Sequence, residues 1–235
     1  MTACIALLGG SFDPVHHGHV ALARLFAESL RPTELRVLPA RPWQKAGLSA
    51  SDEQRVAMLE LAFRDAGLDV IIDRRELDRS SPTYTVETLR GLRAELGPDA
   101  SIVFLMGADQ LQNLCSWREW EQLFELANLG VAARPGYTLD QDALPPAVAK
   151  ELAPRLAPLE QVRTTPAGLV CLAHALAVDI SSSTVRAALR GDGTSAANAA
   201  ANSTENAAAD ATAEVNLLVA PVVLDYIQHH HLYKN

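Results

Sequence analysis

Short apolar runs that do not alternate in polarity recur along this chain, separated by stretches of helical period, and few architectures accept that alternation. Residues 3–8, 34–38, 70–72, 101–106, 129–133 and 169–173 read as strands buried on both faces. Between them, helical spacing predicts helices over 18–30, 85–96, 182–189 and 221–233, the last with Pro221 in its first turn. Ser51 and Gln54 form a capping-box pattern that opens a helix carrying Val56, Leu59 and Phe63 on one face. Leu89, Leu92 and Leu96 face inward from the 85–96 helix, which Gly97 and Pro98 close. Trp117, Trp120, Phe124 and Ala127 also fall at helical spacing, and the proline-rich stretch 135–166 is expected to be loop with one modest helix over 147–156. Strands joined by helical crossovers pair in parallel. The expected fold is therefore α/β: a doubly wound, Rossmann-like parallel sheet with helices on both faces, in a single domain over 1–235. In such a sheet ligands bind at the carboxyl ends of the strands, near the point where strand order reverses.

Residues 194–214 stand apart from this plan. They are nearly all Ala, Asn, Ser, Thr and acidic residues, with no large apolar side chain to bury, and are expected to form a flexible insertion. The chain as a whole is 49% hydrophobic with a formal net charge of -8, which leaves no electrostatic footprint for nucleic acid or an anionic membrane. A small-molecule partner follows. Cys4, Cys115 and Cys171 are odd in number and lack CxxC spacing, so they are expected to be small core residues in a reducing compartment. The N-terminal residues lack the basic flank of a signal peptide, and Pro221 and Asp225 interrupt the apolar run 215–227. A cytoplasmic soluble protein is expected; composition fixes no oligomeric state.

Chemistry concentrates in residues 9–19, GGSFDPVHHGH. A glycine turn, an Asp-Pro bend and His16 and His19 in HxGH spacing lie between the first predicted strand and the helix after it. Glycines at a strand-to-helix crossover let backbone N–H groups approach an anion, and the helix N-terminus favours phosphate. Two histidines at that mouth can neutralise charge developing on a phosphoryl group. Each part has a bland alternative: turn glycines often serve only the turn, and a lone histidine is more often a satisfied surface or core residue. Their order along the chain favours the phosphate site.

This segment resembles the signature of the HxGH nucleotidyltransferase superfamily, and the whole chain apart from 194–214 resembles its bacterial nicotinate-nucleotide adenylyltransferases. The resemblance implies transfer of AMP from ATP, with Mg²⁺, to nicotinate mononucleotide in NAD synthesis. It makes His16, His19 and Arg186 catalytic. Gly9, Gly10, Ser11, Phe12, Gly107, Asp109, Ile180, Ser182 and Ser183 become ATP-binding residues. Residues 180–186, ISSSTVR, resemble the second signature, with Ser183 where threonine is usual; hydroxyls at a helix start can bind phosphate oxygens, and Arg186 offers a permanently charged fork. Residues 107–120 resemble the family's adenosine and nicotinate segment, in which Asp109 would accept from ribose hydroxyls and Trp117 would stack on nicotinate. Spacing alone does not separate Trp117 from Trp120, which with Phe124 reads as core. SPTYTVETL, 81–89, would bring Tyr84 and Thr85 to the nicotinate carboxylate, although a threonine-capped helix start explains the same residues. Arg134 matches a phosphate-contacting position. Lys45 keeps a positive charge in the loop 38–47, where Ala40 and Gln44 depart from the usual asparagine and histidine. No metal ligands among the side chains are implied, and the histidine run 229–231 reads as surface.

Other functions stay open at this level. The same chemistry on nicotinamide mononucleotide or phosphopantetheine fits the motifs, as does a nucleotide-sensing module without turnover. A class I aminoacyl-tRNA synthetase fragment shares HxGH, but this chain lacks a KMSKS-like segment and a basic surface.

Overall fold

The computed structural model describes residues 3–41, 48–81, 83–133, 144–174, 180–190 and 217–234. By contact the chain falls into two compact units. One comprises Met1–Gly10, Ala21–Lys45 and Val70–Ala177; the other comprises Ser11–Val20, Ala46–Asp69 and Val178–Asn235.

The first unit is built on a six-stranded sheet of β1 (Cys4–Gly10), β2 (Glu34–Pro39), β3 (Ile71–Ile72), β4 (Ser101–Gly107), β5 (Asn128–Ala133) and β6 (Val170–His174), in the order β3-β2-β1-β4-β5-β6. Every pairing is parallel, with Leu8 beside Val37 on one side and Leu105 on the other. This is the Rossmann-like arrangement expected from the non-alternating runs. Strand order reverses between β1 and β4, so the switch point lies at the ends marked by Gly9, Gly10 and Gly107.

Apolar burial holds the unit together. Ile5, Leu7, Ile102, Phe104, Leu129 and Val131 from the strands join Val86, Leu89 and Leu92 of α3 (Thr85–Leu96) in one core, with Leu96 packed at its edge. Each such side chain contributes roughly 1.5–3 kcal/mol when fully buried. Polar groups finish the connections: the Arg93 guanidinium donates to the carbonyls of Gly97, Ala100, Leu126 and Pro166.

Two expected helices of this unit differ. Residues 117–127, read at helical spacing, do not form one helix. The chain here runs as 3₁₀ turns at Leu114–Ser116 and Trp120–Gln122 and a short α5 (Leu123–Leu126), following α4 (Ala108–Leu111). Glu119 sits between the turns at φ +50°, a left-handed conformation that breaks helical repetition. Trp120 and Phe124 are nevertheless buried, as expected of core. The helix expected over 147–156 ends earlier, as α6 (Pro146–Leu152), and Pro154 lies in a 3₁₀ turn (Ala153–Arg155). A second helix, α7 (Leu159–Thr164), follows. Cys4 and Cys171 are buried, but Cys115 is exposed on the 3₁₀ turn and is not a core residue.

The second unit carries the start of α1 (His17–Leu30), α2 (Asp52–Asp65), α8 (Ser182–Arg190) and α9 (Pro221–His229). The capping box is present: Ser51 Oγ accepts from Gln54 N, and Gln54 Oε1 accepts from Ser51 N. Helices α2 and α9 pack on each other and bury Val56, Leu59, Phe63, Val223, Leu224 and Ile227. α9 is shorter than the expected 221–233, because the chain turns after it with His231 and Tyr233 at positive φ. The insertion expected over 194–214 lies outside the described residues. No helix among the described residues is long and apolar enough to cross a membrane.

Candidate active site

The turn 11–20 sits in the second unit and is shaped by its own side chains. Phe12 is fully buried at φ +47°, and its ring meets the His19 ring edge-on at 4.8 Å. His16 and His19 stack, with ring centroids 3.7 Å apart and planes inclined by 25°. His16 N donates to His19 Nδ1 at 3.3 Å, so a neutral His19 carries its proton on Nε2. Gly18 has a steric reason to be glycine: a Cβ there would stand 3.0 Å from His16 Nδ1 and 3.5 Å from the Ile180 carbonyl. A side chain at position 18 would thus crowd the His16 ring.

His16 is 6% exposed, and its Nδ1 is buried without a hydrogen-bond partner among the described residues. Burial, with a smaller contribution from the charge of His17, pushes its pKa from 6.5 down to about 4. His16 is thus a neutral imidazole at physiological pH.

Helix α8 supplies the second signature. Ser181, not Ser182 or Ser183, caps the helix by accepting from Thr184 N at 3.1 Å. Ser182 Oγ donates to the Pro14 carbonyl at 3.0 Å. Arg186 donates from Nη1 to the Asp13 carbonyl and from Nη2 to Ser183 Oγ, two of the five donors its guanidinium carries. Ser183 is exposed. Histidines, serines and Arg186 are thus fastened to one turn within this unit.

Three residues that sequence reasoning did not single out hold that turn. The Asp13 carboxylate is 3% exposed and accepts from Ser49 N at 2.9 Å, Ala50 N at 3.1 Å and the Tyr233 hydroxyl at 2.8 Å. Arg55 of α2, fully buried, pairs with Asp52 and donates to the Ser11 carbonyl at 2.6 Å. Asp13 stood within the motif; Arg55 and Tyr233 carry no local signal.

The remaining candidates lie on the first unit. Gly9 and Gly10 end β1 and Gly107 ends β4. A Cβ on Gly9 would stand 3.2 Å from the Phe104 ring, and one on Gly107 only 2.5 Å from Asp109 Oδ1, so the Asp109 carboxylate leans over a backbone without a side chain. Trp117 is half-buried and meets Phe104 edge-on at 6.0 Å, which separates it from the buried Trp120. Tyr84 is the N-cap of α3 and Thr85 its first residue; no side chain caps this helix, so the threonine-cap alternative does not hold. The Arg118 guanidinium stacks over Tyr84 at 4.7 Å and pairs with Glu87 at 3.0 Å. Behind this segment, buried Glu76 accepts from Thr83 and Thr88 hydroxyls at 2.9 and 2.7 Å. Lys45 and Arg134 lie outside the described residues.

A parallel sheet with glycines at its switch point, and a glycine turn bearing stacked histidines beside a serine- and arginine-bearing helix, define a nucleotide-handling α/β protein. A family model described as cytidylyltransferase-like matches residues 7–188, and the chain belongs to that family. Among similar relatives, one from Herminiimonas arsenicoxydans is 52% identical over 100% of this chain and 99% of its own, and one from Chromobacterium violaceum is 40% identical over the whole of both. Both bear the name "Probable nicotinate-nucleotide adenylyltransferase". In fold the chain is similar to Plasmodium falciparum nicotinic acid mononucleotide adenylyltransferase, solved with NaAD, at a TM-score of 0.70 and 20% identity, covering 98% of this chain and 97% of that one.

Proposed function

We propose that this chain transfers AMP from Mg-ATP to the 5′-phosphate of nicotinate mononucleotide, giving nicotinate adenine dinucleotide and pyrophosphate in NAD biosynthesis. The substrate assignment is supported by full-length relatives that carry this name at 52% and 40% identity. The observation that carries the chemistry is the stacked His16 and His19 pair on its glycine turn, with a buried His16 nitrogen that has no partner among the described residues.

In the proposed reaction an oxygen of the acceptor phosphate attacks the ATP α-phosphorus in line. The new P–O bond forms as the bond to the β-bridging oxygen breaks, and the electron pair leaves on pyrophosphate. No covalent enzyme intermediate is formed, so the protein's work is positioning and charge stabilisation. His16 acts as a neutral dipole and His19 donates through Nε2–H to oxygens of the α-phosphate. Arg186, with Ser182 and Ser183, holds the β- and γ-phosphates, while Gly9, Gly10, Ser11 and Phe12 let the backbone approach them. Gly107 and Asp109 receive the adenosine; Trp117 stacks on the nicotinate ring; Tyr84 and Thr85 serve its carboxylate, and Lys45 and Arg134 the acceptor phosphate.

Magnesium enters with ATP as part of the substrate. The Asp13 carboxylate is committed to two backbone N–H groups and a hydroxyl. We place the reaction in the cytoplasm, where membranes retain highly charged nucleotides.

Replacing His19 by alanine tests the assignment. Removing a donor to a developing oxyanion costs about 10²–10³ in turnover. Near-normal turnover by a folded His19→Ala protein would sink the mechanism.

A further inference from the structure

We propose that Tyr233 is a positioning residue for the phosphate-binding turn, acting through Asp13; this rests on the reading of His16 and His19 given above. The Tyr233 hydroxyl donates to Asp13 Oδ1 at 2.8 Å, three residues before His16. Asp13 is the hub of the turn: its carboxylate also takes Ser49 N and Ala50 N, and its carbonyl takes Arg186. The same stretch of chain reaches the turn a second time, where the Leu218 carbonyl accepts from His17 N at 2.9 Å, between the two histidines of the pair. Residues 217–234 therefore grip the motif on both sides of His16.

The grip is built at a cost. Tyr233 adopts φ +63°, a left-handed conformation that an L side chain occupies only when its surroundings demand it, and it is 6% exposed. Burial and the neighbouring Asp13 carboxylate push its phenol well above the ordinary range, so it remains a donor throughout the working pH range. An apolar residue would fill that space equally well. The hydroxyl does something packing alone does not: it fixes one oxygen of the carboxylate that sets the path of residues 13–16.

Tyr233→Phe keeps the ring and deletes only the donor. The variant is expected to lose turnover by roughly tenfold or more, since small misplacements of reacting groups act on kcat, with KM for ATP and for the acceptor within about twofold of the parent. Turnover within about twofold of the parent overturns the proposal, as does a loss that disappears when rates are corrected for the folded fraction. A second readout needs no turnover: the pH titration of the His16 ring by NMR. Loosening the turn admits water to His16, so its midpoint should rise from about 4 toward 6.5 in the variant. An unchanged midpoint counts against the role of Tyr233. A parent protein inactive with every acceptor would defeat the proposed reaction and leave the titration to decide this point.

Discussion

Replacing His16 with asparagine should flatten the acid limb of this protein's stability curve. Folding buries the imidazole and lowers its pKa from 6.5 to about 4, chiefly by desolvation. The unfolded chain takes up the proton near 6.5 and the folded chain only near 4, so between these values the unfolded state binds more protons. Stability from this group is therefore complete above 6.5 and is lost as pH falls toward 4. Linkage from these two values gives a loss of roughly 2–2.5 kcal/mol between pH 7 and pH 4.5. Asparagine does not titrate there, and the carboxylates held low by arginines, Asp73 and Glu95, are common to both proteins and cancel in the comparison. Urea unfolding of parent and His16→Asn at the two pH values reads the difference directly. Parent stability that falls no more steeply than that of the variant would refute the account of a buried neutral His16.

Four substitutions test other parts of the structure. Gly18→Ala places a methyl against His16 Nδ1 and should cost about 1–3 kcal/mol by overpacking while lowering turnover; a fully stable, fully active variant would show that the turn accommodates a side chain. Trp117→Ala and Trp120→Ala should part company: the buried Trp120 loses about 3–5 kcal/mol in thermal or urea unfolding, whereas Trp117→Ala raises KM for the nicotinate nucleotide and leaves KM for ATP near the parent value. Arg186→Lys keeps the charge but cannot span the Asp13 carbonyl and the substrate phosphates with one planar fork, so KM for ATP should rise about tenfold. Unaltered ATP kinetics would remove Arg186 from the triphosphate site.

The inner strands were legible because burial on both faces leaves a run of apolar residues, whereas the edge strand β3 is only two residues long and exposes Ile71. The aromatic spacing over 117–127 misled for a physical reason. Burial at i, i+3 and i+7 can be met by turns as well as by a helix, and nothing in the local sequence announces the positive φ of Glu119. The helix expected over 147–156 ran through Pro154, whereas the helix stops at Leu152 and Pro154 falls in the 3₁₀ turn after it. Within the site, HxGH and ISSSTVR were visible as patterns, but the pairing of Tyr233 with Asp13 spans 220 positions and that of Arg55 with Ser11 spans 44. Long-range pairs of this kind exist only in the folded chain. Spacing also treats His16 and His19 alike; the folded chain buries one as a neutral imidazole and leaves the other half-exposed.

Pyrophosphate release from Mg-ATP, with nicotinate mononucleotide, nicotinamide mononucleotide and phosphopantetheine offered separately, bears most directly on the proposed activity. Release dependent on an acceptor and strongest with nicotinate mononucleotide is the predicted result. Preference for another acceptor would contradict the substrate assignment, and ATP binding without release in all three would contradict catalysis itself.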